Sequence, residues 1–269
     1  MKFSITVSLN KIENAPALYD EDFSNFLSYL KYTGYDGIEL AFRNHDILNV
    51  NKLFKTIRSF GLEVSAIQTG QLVSRGFSFS DPDHEIRIRS VREIYKYIDI
   101  GSVLKSPVII GLIRGRNIPE QMNNSTYNIS TECIKNVCNY AYNKNVVILI
   151  EPINRNETPI INTIEDAASL IISMGLSNVS ILIDSYHIYI EESGTKFASR
   201  IKKNLNNIKY IHIADSGRMS PGSGTYNLSY FIKAIKNAGF NGYISGEVKP
   251  IPDCYEAARK TYSFLRSNF

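Results

Sequence analysis

The stretch at residues 146–157, VVILIEPINRNE, decides how this chain folds. Five apolar residues run from Val146 to Ile150, four of them β-branched, which predicts a strand buried on both faces. The strand delivers Glu151 to its end, and Pro152, which has no N–H to give, stops the ladder immediately after it. A carboxylate at the mouth of a buried strand carries a heavy desolvation cost unless a partner neutralises it. Three later apolar runs end the same way, in Asp184, His212 and Glu247.

Outward from this stretch the same rhythm covers the chain. The patterning predicts strands at Phe3–Val7, Gly37–Phe42, Glu63–Gln68, Pro107–Leu112, Val146–Glu151, Val179–Asp184, Tyr210–Ala214 and Tyr243–Val248. Between them, apolar residues at helical spacing predict helices around residues 23–33, 53–60, 86–100, 130–143, 167–174, 228–238 and 256–265. Eight strands alternating with about as many helices, with no low-complexity linker, give a single (β/α)₈ barrel domain over residues 1–269. A doubly wound sheet is the alternative. It is disfavoured because no Gly-x-Gly-x-x-Gly follows the first strand.

Composition limits what such a barrel can serve. The 269 residues are 43% hydrophobic, enough for a large core, and 30 basic against 26 acidic residues leave a net charge of +4. Both signs are dispersed, which argues against nucleic-acid and membrane partners and for a small-molecule one. Cys133, Cys138 and Cys254 lack metal-finger spacing and read as packing residues, which fits a reducing cytoplasm. The amino end MKFSITVSL reads as a first strand rather than a signal peptide, and no segment approaches the ~20 apolar residues that cross a bilayer. The expectation is a soluble, cytoplasmic protein.

In a (β/α)₈ barrel the strand ends form the active site. Glu151, Asp184, His212 and Glu247 are separated by 33, 28 and 35 residues, about one βα unit each time, so they stand on neighbouring strands. Three carboxylates in one cleft repel each other unless a cation sits among them. Three carboxylates and one imidazole are a hard, mostly oxygen donor set, which suits one divalent ion such as Mn²⁺, Mg²⁺ or Co²⁺, with Mn²⁺ favoured. Glu39, Gln68, Arg114 and Arg116 lie at the ends of strands two to four. The two arginines are candidates either for a substrate carboxylate, held by bidentate hydrogen bonds, or for pairing with strand-end acids such as Glu39. His45 and His84 fall in polar loops and read as solvated surface residues, and Gly222 and Gly224 as a tight turn.

EPINRNET (151–158), ILIDSYH (181–187) and YIHIADSGRMSPGSG (210–224) together resemble the sugar isomerase/epimerase branch of the xylose isomerase-like barrels. The likeness runs over nearly the whole chain and is greatest to the ketose 3-epimerases and 5-keto-gluconate-type epimerases, with AIQTGQ (66–71) and VIIGLIRGR (108–116) contributing. The resemblance implies that Glu151, Asp184, His212 and Glu247 hold the metal and that Glu151 and Glu247 act as the two acid/base carboxylates. It also implies that Glu157, His187 and Arg218 contact substrate, to which the strand-end position adds Gln68. The implied enzyme is an isomerase that epimerises a keto sugar or keto sugar acid by removing and returning a proton through an enediolate. Relatives of this kind commonly form homodimers or homotetramers.

Other readings of the fold are a lyase of the inosose dehydratase kind, a non-catalytic sugar-binding barrel, and an endonuclease IV-like enzyme. The last needs five histidine ligands, and this chain has four histidines in all. One departure from the related epimerases stands out: Thr225-Tyr226-Asn227 replaces a common His-x-Asp after the PGSG turn. It is expected to act on local hydrogen bonding or substrate choice rather than on metal binding.

Overall fold

The computed structural model describes residues 1–115, 124–192 and 196–269. Eight parallel strands close into a barrel in chain order: β1 (Lys2–Ser8), β2 (Gly37–Ala41), β3 (Glu63–Ile67), β4 (Val108–Ile110), β5 (Ile148–Ile150), β6 (Val179–Asp184), β7 (Ile208–Ile213) and β8 (Tyr243–Gly246). β8 pairs back onto β1 with Ile5 opposite Gly246, which closes the ring. The expected (β/α)₈ architecture is the one observed.

Helices form where the apolar period and the caps agree. α1 (Phe23–Thr33) starts on Asp22, whose carboxylate accepts the Asn25 N–H, and ends on Gly34 at φ 118°. α2 (Val50–Ser59) is capped by Asn49, and α6 (Ile164–Met174) by a reciprocal Thr163–Asp166 capping box. The short α3 (Gln71–Ser74), the long α4 (His84–Leu104) and α5 (Asn124–Asn143) lie between β3 and β5. Two helices that the patterning did not predict follow β6: α7 (Ser185–Glu191) and α8 (Lys196–Asn204). Asp184 is both the last residue of β6 and the N-cap of α7, so no turn residue marks the change. α9 (Ser229–Ala238) and α10 (Cys254–Asn268) complete the shell among the described residues.

Some boundaries move. β4 stops at Ile110 rather than Leu112 because Gly111 leaves the ladder and Leu112–Arg114 form a 3-10 turn. β8 stops at Gly246, one residue before Glu247, and His84 opens α4 instead of lying in a loop.

Alternation along the strands sorts side chains into two layers. One apolar cluster fills the space between strands and helices, with Val179, Ile181 and Ile183 from β6 among its members. A smaller one, made of Ala66, Ile109, Leu149, Leu182 and Tyr210, fills the barrel interior. Successive side chains on a strand point to opposite faces, so a residue two positions beyond an interior one also points inward. Leu149 therefore implies an inward Glu151, Leu182 an inward Asp184, and Tyr210 an inward His212. Glu151, Asp184 and His212 stand one pleat above the interior plug.

Candidate metal and substrate site

The cluster forms as that parity requires. Glu151, Asp184, His212 and Glu247 are all buried, and one ligand atom from each lies within 4.8 Å of the others. β6 and β7 set their depth, with Asp184 opposite His212 in the ladder. Gly111 makes room: a Cβ there would stand 2.8 Å from Oε2 of Glu151.

Glu39 fixes the imidazole. Its Oε2 lies 2.8 Å from His212 Nε2, and both residues are buried. Burial pushes the Glu39 carboxyl up, but the His212 charge and the hydrogen bonds from His212, Tyr210 and Gln68 hold it below its ordinary value. With Nε2–H donated to Glu39, His212 presents Nδ1 to the other ligands, 3.8 Å from Glu151 and 3.6 Å from Glu247. Gln68 Nε2 donates to Glu39 at 2.7 Å and to Glu247 at 2.6 Å, so it orients two carboxylates at once.

Arg218 enters from the loop after β7. Its Nη1 donates to both Asp184 and Glu247, and its guanidinium lies 4.2 Å from the Tyr186 ring centre. The backbone is bent to permit this: Gly217 at φ 65° and Arg218 at φ 62° both lie in the left-handed region, the latter at a cost that such sites commonly carry. Asp215 organises the same loop by accepting the N–H groups of Ser216, Gly222 and Tyr226.

The stretch after Glu151 folds over the site through Asn154. Its amide donates to Glu157 at 3.0 Å and lies 2.7 Å from His187 Nδ1. Arg155 pairs with Glu191 of α7 and holds the loop down. His187 is buried, with Nε2 3.7 Å from both Glu151 and Asp184 and 3.0 Å from Arg218. Burial first, and then the Arg218 charge, lower its pKa, so the ring is neutral near pH 7.

These groups fit a divalent cation. His212 Nδ1 is buried without a hydrogen-bond partner, turned toward three carboxylates. The cluster otherwise balances its charge with Arg218 and with protons. Glu247 is pushed up to about 8, by burial first and then by Glu151 and Asp184, against the pull of Arg218 and His212. The His212 pKa is raised despite burial, chiefly by Glu39 and Glu247. Asp184 stays low, because Arg218 and the neighbouring imidazoles outweigh its burial.

The remaining candidates divide. Glu157, His187, Arg218 and Gln68 all line the cavity that contains the cluster. Arg114 does not take the role expected of it. It is fully buried, and its guanidinium donates to the backbone carbonyls of Ile110, Gly111, Ile160 and Ile161, touching neither the cavity nor Glu39. Arg116 lies outside the described residues. His45 is not a surface residue either: it is buried, with Nε2 2.8 Å from Glu93 and Nδ1 2.8 Å from Asp46. Two groups prove central: Glu39, named among the strand-end residues but not as the group that fixes His212, and Asn154, which sequence reasoning did not single out. Glu39 carried the same signal as Glu151, an acid ending an apolar strand, whereas Asn154 carried none.

Fold and site together define the class: a closed (β/α)₈ barrel with three buried carboxylates and an imidazole converging at the ends of β5 to β8. The chain belongs to the Xylose isomerase-like TIM barrel family, whose model matches residues 27–267. The 3-dehydro-D-guloside 4-epimerase of Escherichia coli is 25% identical over 262 residues, covering 93% of this chain and 97% of that protein. The L-ribulose 3-epimerase of Mesorhizobium japonicum is 26% identical, covering 82% and 73%. Two solved structures share the fold: the E. coli 3-keto-D-glucoside 4-epimerase (TM-score 0.79, 22% identity, 99% of each chain) and the Methylomonas D-allulose 3-epimerase in complex with D-allulose (TM-score 0.80, 18% identity, 100% and 97%).

Proposed function

We propose that this protein is a metal-dependent epimerase of a keto sugar or keto sugar acid. The observation that carries the reading is the convergence of Glu151, Asp184, His212 and Glu247 within 4.8 Å, with the two glutamates on strands that flank the other two ligands. The four residues would hold one divalent ion, and their hard oxygen-rich donor set favours Mn²⁺ over softer-site metals. When bound, the ion supplies positive charge to the oxygens beside the reacting carbon, which makes the neighbouring C–H more acidic.

The chain's own groups then divide the work. Glu151 and Glu247 face a bound sugar from two sides, so one takes the proton next to the ketone and the other returns a proton to the opposite face. His187, neutral and locked by Asn154, and Arg218 hydrogen-bond the sugar oxygens and fix which face each glutamate sees. Glu157, tied to the same Asn154, contacts a substrate hydroxyl. A cytoplasmic location is in keeping with three buried free cysteines. A homodimer or homotetramer is the assembly that light scattering should find.

The reading is checked by incubating the Mn²⁺-loaded protein with ketoses and keto sugar acids in D₂O. Solvent deuterium should enter the carbon beside the ketone, with inversion. Glu247→Gln should lower that exchange by about 10³-fold or more, the scale of a lost general acid/base. Wild-type exchange in that variant would rule out the two-glutamate scheme.

A further inference from the structure

The cavity at the barrel mouth has a volume of about 520 Å³. That lies within the range of pockets that bury drug-sized ligands, roughly 300–1,000 Å³, and well above the space that one six-carbon sugar fills. The chemistry described above uses only the side formed by β5 to β8. The cavity continues past the ends of β2, β3 and β4 and against residues 12–17 of the β1–α1 loop.

Two cations line this cavity without a part in proton transfer. Arg43 lies two residues beyond β2 and is exposed, while Lys249 lies three residues beyond β8 and is half-buried. Among the described residues neither side chain pairs with a carboxylate. Among the described residues, the other arginines near the mouth are engaged: Arg218 with Asp184 and Glu247, Arg75 with Glu93, and Arg114 with backbone carbonyls. On residues 12–17 of the β1–α1 loop the one acid is Glu13, which is exposed. β1 pairs with both parent strands, with Ser8 opposite Ala41 and Ile5 opposite Gly246. The two cations thus follow the strands on either side of β1, and both line the same cavity. Side chains as long as Arg and Lys reach toward one group in that shared cavity, and an anionic oxygen group is what two such cations bind best.

We propose that the substrate carries a carboxylate or a phosphate monoester on the part of the molecule remote from the reacting carbon, and that Arg43 and Lys249 hold it. The proposal rests on the keto-sugar reading of the inner site and adds the class of substrate. It also gives the two cations a use, because they neutralise an anionic group that a bare hexose lacks.

Titration calorimetry on the Mn²⁺-loaded full chain tests it, with D-fructose, D-fructose 6-phosphate, 5-keto-D-gluconate and inorganic phosphate as probes. One of the two anionic sugars should bind about tenfold or more tightly than D-fructose, and which one it is separates phosphate from carboxylate. In the Arg43→Gln/Lys249→Gln double variant the ratio should fall to about one, while Lys52→Gln, an exposed lysine elsewhere, keeps it. No preference for either anionic sugar, or a preference that survives the double variant, overturns the proposal. So does inorganic phosphate that binds as tightly as the sugar phosphate, since the sugar would then not occupy the cavity. Failure of the epimerase reading looks different: no probe exchanges deuterium, yet the charge preference and its loss in the double variant remain.

Discussion

Glu39 shows how much a single buried carboxylate decides. Nothing in its own position makes it a ligand, since its Oε2 is taken by His212 Nε2 at 2.8 Å and its Oε1 by Gln68. Its effect is on the neighbour. By accepting from Nε2 it selects the His212 tautomer whose free lone pair is on Nδ1, the atom turned toward Glu151 and Glu247. Glu39→Gln keeps a hydrogen-bond acceptor but removes the charge. It should weaken Mn²⁺ binding about 10–100-fold, measured by competition with a chelator, while the folded circular dichroism spectrum stays unchanged. Unaltered affinity would mean that the ring is held by packing alone.

At the scale of elements, Arg114 ties the 3-10 turn after β4 to the end of the loop that follows β5. Ile161 sits at φ 58°, an unusual conformation for a β-branched residue, and its carbonyl accepts both from Arg114 Nη2 and from the Ile153 N–H. Arg114→Met leaves four buried carbonyls without that donor. Thermal or urea denaturation should show a loss of about 3 kcal/mol or more, on the scale of a lost buried charged hydrogen-bonding group. A variant as stable as the parent would show that the loop needs no such tie.

The same element marks where reading the sequence ends. Strands and their terminal acids were legible because an apolar run followed by a carboxylate and a proline or turn is a local signal. Arg114 read as a site residue for the same local reason, its nearness to a strand end. Two of its four carbonyl partners lie 46 and 47 residues away, which no local pattern encodes. His45 failed likewise: a polar neighbourhood in sequence hid a partner, Glu93, contributed by α4. α7 was missed because Asp184 ends a strand and caps a helix at once, and α8 because its apolar stripe, Phe197 and Ile201, is only two large residues in a nine-residue helix.

The whole molecule joins these parts through charge. Four carboxylates, Glu39 among them, converge on a region that also holds Arg218 and two imidazoles, and burial makes every imbalance costly. An ion that binds only the folded barrel stabilises it by mass action, about 2.7 kcal/mol when free metal stands 100-fold above its dissociation constant. Stripping the protein with a chelator should therefore lower the melting temperature by roughly 5 °C or more, and adding Mn²⁺ should restore it. Scanning calorimetry reads both, and a midpoint indifferent to chelator would remove the metal from the account.

The alternation that places Leu149, Leu182 and Tyr210 one pleat beneath Glu151, Asp184 and His212 has a consequence for how this sequence can change. Inserting a single residue into β5, β6 or β7 between plug and ligand would swing the ligand out into the helix shell and leave an apolar residue facing the cleft. Two inserted residues would restore the facing but lift the group by about one pleat period, roughly 6.6 Å, away from its partners. Length is therefore frozen in these strands even where identity is not. The loops beyond them, 152–163 and 214–228, are where length can change, provided Asn154, Glu157 and Arg218 keep their places.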